Sequence, residues 1–256
     1  MTDKTLYERR QDGVRLLTLN DPDRRNAIGP DLQVELADRV SEVKADPGAR
    51  ALILAGEGTA FCAGADLPAV FTQSERSVSQ IRQDLREYYQ CFLPILDLQI
   101  PTIAAVQGPA IGAGLNLALC CDLRLAGPNA LFGATFSRIG LHPGGGCTYF
   151  LTRCMGAQRA LRVLLQGDTL DAGRAVANGL ADEQVEDPLE QALAIASRFA
   201  ELDPQLCGDI KRAVRISVED GLTPTLEFEA WAQASSASRP EVQDLVARFR
   251  SREGGD

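Results

Sequence analysis

The chain has 256 residues, 45% of them hydrophobic and 24% charged, with a formal net charge of −9. This is enough apolar material for a sizeable core, and the acidic total works against a nucleic-acid partner, which needs a basic face. No membrane span is expected, because the longest apolar run, Ile111 to Cys121, falls well short of the roughly 20 residues needed. The N-terminal stretch lacks a basic region followed by a long apolar one, so no secretion signal is expected. The cysteines are seven, an odd number in mostly apolar contexts, which fits reduced thiols and a cytoplasmic chain better than a disulfide framework. With one histidine, His142, they offer no zinc-type spacing, and no metal is expected.

In chain order, Leu6–Arg9 and Val14–Asn20 alternate around Asp12-Gly13 and predict a β-hairpin. Pro30–Ala45 predicts a helix, with proline in the first turn, Leu32, Leu36 and Val40 at helical spacing, and Asp46-Pro47-Gly48 as the stop. Ala51–Ala55 and Thr102–Val106 are short, wholly apolar and turn-bounded, as buried strands are. Between them Ser77–Leu98 predicts one long amphipathic helix, ended ahead of Pro101. Leu115–Cys121 offers no polar stripe and predicts a helix buried all round. Leu123–Ala126 and Leu131–Gly133 follow as strands. From Leu189 the pattern is helical only: Leu189–Ala200, Gln205–Val218, Thr223–Ser235 and Glu241–Arg250. The expected architecture is an α/β core with parallel pairings over residues 1–188 and a helical C-terminal region over 189–256.

Two segments share one physical character. Ala60-Phe61-Cys62-Ala63-Gly64-Ala65-Asp66-Leu67 follows the first buried strand, and Gly108 to Asn116 follows the second. Small residues at a strand-to-helix junction let a ligand approach the backbone, where free N–H groups and the positive end of a helix dipole face it. Two such turns opposite each other would make an oxyanion hole of main-chain donors. Either turn alone is equally a tight packing turn. Gly112-Ala113-Gly114 lacks the third glycine of a dinucleotide fingerprint, and no phosphate loop of the G-x-x-x-x-G-K-[ST] type occurs.

Taken in order, these segments resemble the enoyl-CoA hydratase/isomerase (crotonase) family. Asn20-Asp21-Pro22 with Asn26-Ala27 is similar to the family's opening motif, Phe61 to Leu67 to its first signature, and Gly108 to Asp122 to its second. Ile139-Gly140-Leu141 with Pro143 to Gly146 is similar to the third, and Gly179-Leu180-Ala181-Asp182 and Phe249 extend the match. The resemblance implies a spiral of βαβ units, and C-terminal helices that assemble a homotrimer or a dimer of trimers. It implies an acyl-CoA substrate and no cofactor beyond the coenzyme A of that substrate. The oxyanion donors it implies are the N–H groups of Ala65 and Ala113. Binding of the coenzyme A portion falls to Arg24, Ala63, Gly64, Ala65, Asp66 and Leu67, with Gly112 and Gly114 shaping the second turn.

The pattern departs from family hydratases at the two positions where glutamates handle the attacking water. Those positions are Asn116, which can hydrogen-bond but cannot take a proton, and Phe136, which can do neither. His142 is a candidate proton carrier, or a loop histidine bonded to backbone. Asp66 is a second candidate, or the cap of a helix starting near Leu67, and Asp122 reads as structural. His142-Pro143-Gly144-Gly145-Gly146 also resembles the oxyanion segment of α/β-hydrolases, but no G-x-S-x-G elbow accompanies it. Two readings of function stand: thioester-enolate chemistry of the hydratase/isomerase type in fatty-acid metabolism, with ordinary hydration doubtful, or a non-catalytic acyl-CoA carrier or sensor.

Overall fold

The computed structural model describes residues 3–71 and 76–253. β1 (Thr5–Arg9) and β2 (Val14–Leu19) form the antiparallel hairpin, with Gly13 at φ 88° and the Asp12 carboxylate accepting from the Val14 N–H at 3.1 Å. α1 (Pro30–Ala45) buries Leu32, Leu36, Val40 and Val43 at helical spacing. β3 (Ala51–Gly56) leads through the first glycine segment to the short α2 (Leu67–Phe71) and then α3 (Val78–Tyr89). α3 starts with a capping box between Ser77 and Gln80.

The single helix expected over Ser77–Leu98 is two pieces. α3 stops at Tyr89, and Leu93–Asp97 is a separate 3-10 turn. The physical cause is Pro94, which cannot donate to the carbonyl four residues back and clashes with it, so the helix ends before that carbonyl is needed.

β4 (Thr102–Val106), β5 (Pro109–Ile111), α4 (Ala113–Leu119), β6 (Leu123–Ala126) and β7 (Leu131–Gly133) follow. Then come α5 (Cys147–Met155), α6 (Ala157–Gln166), β8 (Thr169–Asp171), α7 (Ala172–Ala177), β9 (Glu183–Gln184) and α8 (Pro188–Ala200). One six-stranded sheet runs β1-β2-β3-β4-β6-β9, parallel from β2 onward, and a second runs β5-β7-β8.

The wholly apolar strands are explained by burial on both faces. Leu17, Leu52, Leu54, Ala104 and Val106 enter the main core, while Ala51, Ile53, Ile103 and Ala105 face α8. α8 brings Ala192 and Ala196 onto that face, small residues that let it lie close to β3 and β4. It therefore belongs to the first compact unit, which ends at Glu201, one helix later than the boundary the sequence pattern suggests. The second unit comprises α9 (Pro204–Glu219), α10 (Leu222–Ala237) and α11 (Pro240–Glu253). The side chains of Leu245 and Phe249 lie outside the described part of α11. Among the described residues no helix is long and apolar enough to cross a membrane.

Candidate functional site

The two glycine segments are locked to each other by backbone. The Cys62 N–H donates to the Pro109 carbonyl at 3.1 Å, and the Ile111 N–H donates to the Cys62 carbonyl at 3.0 Å. Side chains are excluded from this contact. A Cβ on Gly114 would lie 2.2 Å from the Cys62 carbonyl oxygen. Gly64, at φ 102°, would place one 2.6 Å from the Ile111 oxygen and 3.5 Å from the Ala113 nitrogen. Only glycine meets both the dihedral and the spacing.

A third segment holds the first turn from the far side. The Ile28 N–H donates to the Gly64 carbonyl at 2.8 Å, and the Asp66 N–H donates to the Ile28 carbonyl at 3.2 Å. In a parallel bridge of this kind residues 64 and 66 supply the bonds, so the N–H of Ala65 between them faces away from Ile28. Ala113 is the first residue of α4, and its N–H has no carbonyl four residues back within the helix. The expected pair of donors is thus placed on two turns joined by direct hydrogen bonds.

Asn26 holds the loop that carries the first turn. It is fully buried at φ 55°, next to Arg25 at φ 52°, the non-glycine left-handed residues among those described. Its Oδ1 accepts from the Asp21 N–H, and its Nδ2 donates to the carbonyls of Glu57, Ala60 and Phe61 at 2.9, 2.9 and 3.2 Å. The Arg25 carbonyl accepts from Ala63, and the Asn26 carbonyl accepts from the Cys62 thiol. The N–H of Ala63 is therefore committed to the fold. Burial pushes the Cys62 thiol up to about 12, which makes it a structural group and not a nucleophile.

Arg24, half exposed, forms an ion pair with Asp66, whose Oδ2 accepts from the guanidinium. Leu67 begins α2 and is exposed. Asp122 accepts from both the N–H and the hydroxyl of Thr102, tying β4 to the loop after α4, which is a structural task. A cavity of about 200 Å³ lies between the start of α1, α2 and α3, with Ile28, Val70, Ile81, Leu85 and Tyr88 in its wall. Through Ile28 it adjoins the first turn.

Asn116 is fully buried on α4, and its Nδ2 donates to the Gly144 carbonyl at 2.8 Å. The Phe136 ring is half buried, with its tip 3.8 Å from where a Cβ of Gly112 would stand. His142 is exposed, and its Nδ1 lies 2.8 Å from the carbonyl of its neighbour Pro143, the arrangement of a loop histidine bonded to backbone. Sequence reasoning passed over Tyr89. Its hydroxyl would touch a Cβ on Gly144 at 2.4 Å, and it takes a hydrogen bond from Gly145, which offsets in part the upward push of burial on its pKa. Nothing in the spacing of α3 marks it, because the contact comes from a loop more than fifty residues away. Among the described residues no group of three or more His, Cys, Asp or Glu side chains is placed to hold a metal.

The family model described as Enoyl-CoA hydratase/isomerase matches residues 9–253. A Mycobacterium tuberculosis protein named "probable enoyl-CoA hydratase" is 39% identical over 245 residues, 93% of this chain and 94% of its own. The 2,3-dehydroadipyl-CoA hydratase of Escherichia coli is 34% identical over 248 residues, 96% of this chain and 91% of its own. The crystal structure of an enoyl-CoA hydratase from Bacillus anthracis superposes with a TM-score of 0.87 at 27% identity, covering 97% of this chain and 96% of that one. The chain belongs to the enoyl-CoA hydratase/isomerase family and has its crotonase-type α/β fold.

Proposed function

We propose that this protein binds an acyl-CoA thioester with the carbonyl oxygen between the N–H groups of Ala65 and Ala113, and that it adds water to 2-enoyl thioesters only slowly. The observation that carries the reading is the interlocking of the two glycine turns, which leaves those two N–H groups outside the bonds that join them. Donors fixed in advance, in a place where side chains are excluded, stabilise charge developing on a thioester oxygen without reorganising. The relatives support the ligand class, since their names, a probable enoyl-CoA hydratase and a 2,3-dehydroadipyl-CoA hydratase, both specify a coenzyme A thioester. Arg24 and Asp66, on the rim of the first turn, are where the coenzyme A portion would be met, and His142 is the remaining candidate for moving a proton.

Slow hydration follows from the side chains over the second turn. Asn116 can orient a water but cannot deprotonate it, and the Phe136 ring occupies the space beside Gly112. The same two residues favour the second reading, a carrier or sensor without turnover. Calorimetry with coenzyme A, butyryl-CoA and crotonyl-CoA, run beside an activity survey over saturated and unsaturated thioesters, separates them. Acyl-CoA should bind more tightly than coenzyme A. Equal affinities would remove the thioester cradle, and acyl selectivity without any turnover would select the carrier.

A further inference from the structure

Tyr89 and Asn116 hold opposite edges of one peptide group. Asn116 Nδ2 donates to the Gly144 carbonyl at 2.8 Å, and the N–H of Gly145, the other half of that peptide, donates to Tyr89 Oη. Both side chains lie against this peptide closely. A Cβ on Gly145 would be 2.7 Å from Asn116 Nδ2 and 3.4 Å from Tyr89 Cδ1, and one on Gly144 would be 2.4 Å from Tyr89 Oη. The Tyr89 ring is half-buried, with the rings of Tyr88 and Phe92 centred 6.1 and 6.3 Å away. Asn116 is the fourth residue of α4, and helical side chains lean back towards the start of their helix. Tyr89 is thus brought from the end of α3 to the neighbourhood of the helix start that offers the Ala113 N–H.

A phenol that accepts through its oxygen still has its own O–H to give. The bond it accepts is a polarised one, because the Asn116 contact to the peptide carbonyl strengthens the N–H of the same peptide as a donor. Burial pushes the Tyr89 pKa up and the Gly145 bond offsets only part of that rise, so the hydroxyl keeps its proton at neutral pH. We infer that Tyr89 is a catalytic residue, whose hydroxyl delivers the proton that the α-carbon takes up when water adds to a 2-enoyl thioester. The inference rests on the thioester reading above and adds a residue to it. Water bonds to the β-carbon, and the displaced electron pair passes through the α-carbon to the carbonyl oxygen between the Ala65 and Ala113 N–H groups. The enolate so formed takes the proton from Tyr89 Oη. The phenolate left behind regains one from solvent, which balances the proton lost by the attacking water. That loss is a separate transfer, which stays with the candidate His142.

The test is crotonyl-CoA hydration by the full chain in D2O, with the 3-hydroxybutyryl-CoA product read by NMR. In the wild type deuterium should enter the α-carbon on one face, because a fixed hydroxyl reaches that carbon from one side only. Deuterium on both faces equally overturns the inference, and this measurement needs no variant. In Tyr89→Phe, with a melting curve to verify folding, hydration should fall at least about a hundredfold. The product that still forms should carry deuterium on both faces, while affinity for butyryl-CoA in calorimetry is unchanged. A tyrosine that only holds the loop behaves differently: its loss lowers affinity or stability and leaves the deuterium on one face, which overturns the inference. An unchanged hydration rate overturns it too. So does wild-type hydration no faster than in buffer alone, with butyryl-CoA still bound more tightly than coenzyme A. Failure of the thioester reading looks different, because butyryl-CoA then binds no better than coenzyme A.

Discussion

Asn26 shows how one side chain organises a site it does not touch. Its amide satisfies three carbonyls of the loop ahead of the first glycine turn while its own backbone stays left-handed, a conformation asparagine tolerates better than most residues. Asn26→Ala leaves buried carbonyls without donors, at about 1–3 kcal/mol for an unsatisfied group. A loss of about 2–4 kcal/mol in urea unfolding is expected, and a loss under 1 kcal/mol would show that the loop is held by other bonds. Gly114 is the complementary case. A Cβ on Gly114 would meet the Cys62 carbonyl oxygen at 2.2 Å, and a backbone atom cannot swing aside as a flexible side chain can, so Gly114→Ala has to push the two turns apart. Affinity for butyryl-CoA should then fall to that for coenzyme A, with a stability cost of about 1–3 kcal/mol. Retained acyl selectivity in calorimetry would mean the turns tolerate separation.

Among the elements, the C-terminal helices carry apolar side chains that face solvent within their own unit. Ile210, Val214 and Val218 recur every fourth residue on α9, and Leu222, Leu226 and Trp231 are exposed on α10. Such a stripe favours association, and the family resemblance makes three copies, or two sets of three, the expected assembly. Trp231 is the single tryptophan of the chain, which makes it a reporter. Sedimentation at micromolar concentration should give a trimer or hexamer, and dilution to the monomer should shift Trp231 emission to the red. A monomer at micromolar concentration would exclude the assembly. The element that departs most from expectation is the helix after Ser77. Its apolar spacing continues past Tyr89, but Pro94 removes a donor, and the chain turns before Leu93 instead of running on to Leu98.

For the whole molecule two outcomes are expected. Burial pushes the thiols of Cys62, Cys91 and Cys147 from 9.0 up to about 12. The unfolded chain therefore ionises its thiols first, and the folded state binds more protons between those values. By linkage the stability these groups contribute is intact below pH 9 and is lost as pH rises from 9.0 towards about 12. At a pH of about 10.5 each contributes a loss of up to about 2 kcal/mol. Urea midpoints at pH 8 and 10.5 measure the loss, and Cys62→Ala should show a smaller difference. A midpoint unchanged between these pH values would mean that the thiols are shielded in the unfolded chain as well. The second outcome concerns catalysis. A positioned acid or base contributes roughly 10²–10⁴-fold, so crotonyl-CoA hydration should be slower than in a glutamate-bearing hydratase by at least that factor. Asn116→Glu with Phe136→Glu should raise the rate, with each single change doing much less because the two groups act on one water. A wild-type turnover of roughly 10 per second would place the proton chemistry elsewhere, with His142 examined first.

The alternation of apolar strands and helices, the hairpin at Asp12-Gly13, the helix Pro30–Ala45 and the two glycine segments were all legible in the sequence, and so was the family. These signals are local: periodicity, turn chemistry and the order of short motifs depend on neighbours in the chain. Tertiary structure alone decided the contacts that cross it. Cys62 against Gly114, Asn26 against the carbonyls at 57, 60 and 61, and Tyr89 against Gly144 join segments between about thirty and fifty-five residues apart in sequence. α8 reads in sequence as the first of the C-terminal helices, but the small faces of Ala192 and Ala196 seat it on the sheet. Asn116 is the sharpest example. Its sequence position shows only that a carboxylate is absent, whereas the carbonyl of Gly144 fixes which end of the amide is bonded and which has no partner among the described residues. A hydrogen bond specifies direction as well as partner, and that direction exists only once the chain has folded.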